Sequence, residues 1–188
     1  MNELTMVAEE GRLQAEIGGA AKVDPGTGVQ RPGYMIRDFT LRSLRGEDVR
    51  ISSFRGCANL VLVFDGQSDT MRGFLIEMAK HSREFSEQET RVVAILARGW
   101  EERSIQRSND SPIVELYDGT LTVHHRSGAT DENGCPVPLV YVTDRFGEIV
   151  STYGVPGACL PKVEEILRTL EFVNHQCPEC EPPEWPRQ

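Results

Sequence analysis

Leu60-Val61-Leu62-Val63-Phe64, followed by Asp65-Gly66-Gln67-Ser68-Asp69-Thr70 and then by Met71 through Lys80, is the stretch that decides the fold. The first five residues form an unbroken apolar run, the mark of a strand covered on both faces. The next six are turn-forming types. From Met71 the pattern is helical, with Phe74, Leu75 and Met78 spaced to set one face against a sheet, and it extends to about Phe85. Arg91-Val92-Val93-Ala94-Ile95-Leu96-Ala97 is a second buried strand, so the three pieces predict a βαβ unit with parallel pairing and a right-handed crossover. At a junction of this kind the partial positive charge of a helix N-terminus lowers the pKa of a thiol. This junction offers Asp69, Thr70, Met71, Arg72 and Gly73, and no cysteine occurs between Cys57 and Cys135.

Outward from that unit, Tyr34 to Leu44 is a β-type stretch, and Gly46-Glu47 turns it into Val49-Arg50-Ile51. Gly99 to Asn109 is polar and reads as partly helical. Val114 to Tyr117 is a short strand before the Asp118-Gly119 turn, and Thr120 to Arg126 forms another short element. Val137 to Tyr153 carries two strands rich in β-branched and aromatic residues around Asp144-Arg145-Phe146-Gly147, a hairpin signal. Leu160 to Val173 is an amphipathic helix with Val163, Ile166, Leu167 and Leu170 on one face, and Pro161 sits near its start, where a missing N–H costs little. Three segments result. Residues 1–33 are an N-terminal extension, 34–173 one domain, and 174–188 a Cys/Pro-rich tail.

Twenty basic and 29 acidic side chains give a formal net charge of −9 over 188 residues. That balance excludes a phosphate-backbone binder, which carries a basic stripe, so nucleic acid is not an expected partner. No apolar run approaches the ~18 residues of a membrane span. The opening Met1-Asn2-Glu3-Leu4 and its sequel lack the basic and apolar regions of a secretory signal. Five cysteines, an odd number including the close pair Cys177 and Cys180, point to a reducing compartment, read here as the cytoplasm.

The order of βαβ unit, hairpin and helix, with Asp38-Phe39-Thr40-Leu41, Ile51-Ser52-Ser53-Phe54-Arg55-Gly56 and Val137-Pro138-Leu139-Val140-Tyr141-Val142-Thr143-Asp144, resembles the thioredoxin fold in its peroxiredoxin-like branch, the alkyl hydroperoxide reductase and thiol-specific antioxidant proteins. The resemblance covers residues 34 to 173 and implies an α/β, thioredoxin-like fold with a central mixed sheet flanked by helices. The tail around Cys177-Pro178-Glu179-Cys180 and Pro183-Glu184-Trp185-Pro186 also looks like an ending found on some bacterial redoxins. Family members bind peroxide with a Thr three residues before the reactive Cys. Thr70 matches that Thr, but Gly73 then stands at the Cys position. In a Cys-x-x-Cys register, Asp69 and Arg72 occupy the two Cys positions instead. The Arg expected just before the late strand is replaced by Val137-Pro138. By resemblance, Pro138 follows a cis peptide bond and leaves the backbone at Val137 free to pair with an extended substrate.

Three readings of Cys177 and Cys180 stand side by side. They are a redox pair, one half of a metal knuckle completed by His175 or Cys159, or packing residues of a docked tail. Glu179 and Glu181 oppose a thiolate there. Cys135, next to Pro136, is the single-thiol alternative, and Cys57 reads as structural at the start of the central strand. His124 and His125 are either an acid or base or ordinary surface residues.

The resemblance implies thiol-dependent reduction of peroxides or protein disulfides, weak or absent by the usual route. Its candidate catalytic residues are Cys177, Cys180 and Cys135, and its substrate-binding residues are Thr70, Val137 and Pro138. No cofactor or metal is required for that chemistry. The other class is a non-catalytic protein that binds a peptide or protein partner at the proline cleft. Homodimerisation through the extension and the tail is compatible with either.

Overall fold

The computed structural model describes residues 28–66, 68–97, 112–154 and 159–175. The N-terminal extension up to residue 27, the Gly99 to Asn109 stretch read as partly helical, and Cys177 and Cys180 in the tail lie outside the described residues. Seven strands form one sheet in the order β2-β1-β5-β4-β3-β6-β7. They are β1 Thr40–Ser43, β2 Asp48–Arg50, β3 Asn59–Phe64, β4 Thr90–Leu96, β5 Ile113–Tyr117, β6 Leu139–Thr143 and β7 Ile149–Tyr153. The helices are α1 Asp69–Lys80, α2 Ser82–Glu87, α3 Thr122–Arg126 and α4 Val163–Asn174.

Every residue of β3 is buried, as its apolar run requires. It pairs in parallel with β4, Asn59 opposite Thr90 through Phe64 opposite Ile95, and antiparallel with β6, Phe64 opposite Leu139. The sheet is therefore mixed. β4 and β5 are parallel, while β1–β2, β1–β5 and β6–β7 are antiparallel.

Two apolar layers cover the sheet. On one face Met71, Leu75 and Met78 of α1 and Val163, Ile166 and Leu170 of α4 meet Val61, Val63, Val140 and Val142. On the other, Leu60, Leu62, Phe64 and Tyr141 pack with Ile36, Phe39, Ile51 and Val123. The alternation of β3 side chains between the layers follows from the two-residue period of a strand.

Some boundaries differ from the sequence reading. The helix expected to run to Phe85 breaks at His81 and resumes as α2. The β-type stretch from Tyr34 is a strand only from Thr40, because Gly33, Tyr34 and Ile36 spend their backbone bonds on Ile149 and Gly147 beside β7. On α1, Met71 takes the fully buried place, and Phe74 is only partly covered.

The Tyr141 hydroxyl ties this N-terminal segment down. It accepts from the Gln30 N–H at 2.9 Å and donates to the Ser127 carbonyl at 2.7 Å. Burial pushes its pKa up to about 12, so it stays a donor throughout the physiological range. Tyr141→Phe leaves a buried N–H and carbonyl unpaired, and the expected loss is about 1–3 kcal/mol, read as a lower urea midpoint with an unchanged slope.

Candidate functional site

In an open α/β sheet, ligands gather beyond the carboxyl ends of the parallel strands. Here that rim is built from Asp65 and Gly66 after β3, the first turn of α1, the approach to β6 at Val137-Pro138, and Gly154 after β7. Ser68 caps α1, its Oγ accepting from the Met71 N–H at 3.2 Å, and Asp69 complements the positive end of the helix. Met71 points into the core, while Asp69, Thr70, Arg72 and Gly73 are exposed. A Cβ at Gly73 would meet nothing within 4 Å. The position that the family resemblance assigns to a thiol is thus open and solvent-facing, and it is filled by hydrogen.

Pro138 corrects one expectation. No cis peptide bond occurs among the described residues, so the Val137–Pro138 bond is trans. Val137 donates its N–H to the Ala129 carbonyl at 2.9 Å, and Thr130 bridges to Pro136, so the chain runs straight into β6 as an ordinary strand start. The proline ring then lies against Gly66. A Cβ there would sit 2.3 Å from Pro138 Cδ, and one at Gly154 would sit 2.5 Å from Pro138 O. The two glycines let three segments close on one proline, and the Val137 N–H is already engaged within the chain.

Cys135 is exposed, three residues before Pro138. Its loop is fixed by Asp131, whose Oδ1 accepts from the N–H groups of Asn133 at 2.9 Å and Cys135 at 2.8 Å, while the Asp131 N–H donates to the Cys135 carbonyl. Thr70, Val137, Pro138 and Cys135 therefore belong to one end of the sheet. Cys57 belongs to the other, just before β3, and is exposed rather than packed. Cys159 is also exposed. A separate groove of about 560 Å³ between β7 and α4, with Glu148, Arg168 and Phe172 in its wall, lies away from the rim.

His124 and Asp118 form a pair that the sequence reading missed. His124 is fully buried, not a surface histidine, whereas His125 is exposed. The Asp118 carboxylate accepts from His124 Nδ1 at 2.9 Å and from the His124 backbone N–H at 2.8 Å. It substitutes for a cap, because Leu121 at the start of α3 has φ 58° and no side-chain oxygen. The His124 ring meets Phe64 edge-on, with centroids 5.5 Å apart. Its Nε2 is buried without a hydrogen-bond partner. The six-residue spacing from a strand-ending Asp to a helical His was the available signal.

No family model matches the sequence, and no curated protein matches it. Among solved structures the fold defines a class, the thioredoxin-like proteins. The mitochondrial 2-Cys peroxiredoxin of Plasmodium falciparum superposes with a TM-score of 0.64 at 19% identity, over 77% of this chain and 95% of that one. AhpC of Mycobacterium tuberculosis gives 0.63 at 15% identity, over 80% and 97%. A protein of Chlorobium tepidum described as a thiol:disulfide interchange protein DsbE gives 0.60 at 17%, over 77% and 97%. The chain thus shares the thioredoxin-like fold of these proteins.

Burial pushes the Asp118 carboxyl up, but the hydrogen bonds from the His124 ring and backbone, with the ring's charge, more than reverse this and hold it below the ordinary carboxylate range. A depressed folded pKa contributes stability that is present above the unfolded value of about 3.9 and lost as pH falls through the folded one. Asp118→Asn is expected to cost about 1.5–3 kcal/mol at neutral pH, as for a hydrogen bond to a charged group. The gap from the parent protein narrows below about pH 4, as followed by urea midpoints across a pH series.

Proposed function

We propose that this chain is a peroxiredoxin-like thiol protein whose usual peroxide position has lost its sulfur, and whose thiol chemistry at the rim belongs to Cys135. One observation carries the reading. The first turn of α1 holds no cysteine, while an exposed Cys135 is held by Asp131 three residues from Pro138. Thr70, Val137 and Pro138 are the neighbouring surface for a peroxide or a protein disulfide.

With a peroxide, the Cys135 thiolate forms an S–O bond as the O–O bond breaks. The leaving oxygen departs as hydroxide and takes a proton, and the sulfur is oxidised by two electrons to a sulfenic acid. A second thiol displaces water from it and gives a disulfide. With a disulfide substrate, Cys135 bonds to one sulfur and expels the other as thiolate. Exposed Cys57, Cys135 and Cys159 persist as thiols in a reducing compartment, which favours the cytoplasm.

Reduced, chelator-treated protein given one equivalent of hydrogen peroxide, with oxidised cysteines mapped by mass spectrometry over time, tests this. Cys135 is expected to react ahead of Cys57 and Cys159. Loss led by Cys177 and Cys180 would move the chemistry to the tail. Slow, uniform loss would leave a non-catalytic redoxin scaffold that binds a peptide or protein partner.

A further inference from the structure

β7 is the last strand of the sheet, and the chain ahead of β1 lies along its start. Gly33 donates its N–H to the Ile149 carbonyl at 2.8 Å, Ile149 donates to the Tyr34 carbonyl at 2.7 Å, and Met35 bridges to Glu148. α4 packs on β6 and β7. Between its outer face and this edge lies the groove of about 560 Å³, within the range of about 300–1,000 Å³ typical of small-molecule sites.

The groove carries one charge of each sign. Arg168 and Phe172 line it from α4, and their four-residue spacing sets them on one helix face. Both are exposed, and Phe172, at 67%, is the most exposed large apolar side chain among the described residues. Glu148, half-buried, lines the groove from the β7 side. Burial, and then the charge of Asp144, pushes its carboxyl pKa up. Among the described residues neither the Glu148 carboxylate nor the Arg168 guanidinium has an ion-pair partner, and they do not pair with each other.

We propose that this groove binds a free aromatic α-amino acid as its zwitterion, with the carboxylate at Arg168, the ammonium at Glu148 and the ring on Phe172. A guanidinium fork matches a carboxylate in shape and charge. A carboxylate that burial and a like charge both disfavour gains from an adjacent ammonium ion. An uncovered phenyl ring offers a partner ring an offset or edge-on contact. A simple anion would meet Glu148 and a simple cation would meet Arg168, so a ligand with both signs is the one that answers both walls. Val150 adds apolar lining, and Ser151 adds a hydroxyl. Binding is non-covalent, and it is separate from any thiol chemistry at the rim.

The test titrates the full chain with L-phenylalanine, followed by calorimetry and by nitrogen–proton correlation NMR. One saturable site is expected, with a dissociation constant under about 1 mM and shifts centred on Val150, Ser151 and Thr169. Phenylpropionate and phenethylamine, which each lack one charge, and L-alanine, which lacks the ring, should bind more weakly. Arg168→Gln and Glu148→Gln should each weaken L-phenylalanine by about fivefold, as for an ion pair open to water. In Arg168→Gln the amino acid and phenethylamine should bind alike, and in Glu148→Gln the amino acid and phenylpropionate should. Phe172→Ala, at an exposed position, should reduce the preference over L-alanine. No saturation at tenfold the expected constant, shifts that map to the rim instead, or variants with parent affinity would each overturn the site.

Discussion

The pairing of β3 on both sides is the constraint from which the rest follows. β3 takes parallel bonds from β4 and antiparallel bonds from β6, so its carboxyl end delivers the chain to the rim between a helix start and a returning strand. The register that sets Phe64 opposite Leu139 also sets Gly66 beside Pro138, since each lies one or two residues beyond the last pair. A one-residue slip would exchange Leu60, Leu62 and Phe64 with Val61 and Val63 between the two cores and bury the wrong volumes. The rim is thus a by-product of a register enforced by packing.

The fold was legible because its signals are local and strong. The apolar run of β3, the β-branched and aromatic run of β6 and the helical stripe of α4 each mark in sequence what the fold buries. The break at His81 was less visible, since Ser82 to Glu87 keep a helical composition and only the turn back toward β4 ends α1. His124 was misread for a similar reason. Nothing local buries a histidine, and it enters the core only because Asp118 caps α3 from the end of β5 and folds the ring against Phe64. The trans bond before Pro138 departs from the family likeness, and the Val137 N–H there is engaged by the Ala129 carbonyl.

The electrostatics of the first turn of α1 still match an anion. Its dipole points at the rim, yet Ser68 and Asp69 already answer it, one by accepting an N–H and the other by its charge. A thiolate at this helix start would have to share the dipole with a carboxylate one turn away. Like charges at that spacing disfavour each other. The acidic first turn and the absence of sulfur are therefore mutually consistent, and the turn works as a conventionally capped helix start.

The two ends of the sheet carry different exposed thiols. β3 spans about 17 Å from Asn59 to Phe64 at roughly 3.3 Å per step, and the Asn59–Asn174 hydrogen bond anchors the end of α4 at its lower edge. Cys57 lies two residues before Asn59, at that same edge, and is exposed. Cys135 sits at the other end, on a loop bound to the rim by its own backbone. Cys57 and Cys135 therefore face opposite ends of the sheet. That separation follows from the length of β3, whose two ends lead to the two thiols, whichever oxidant each end meets.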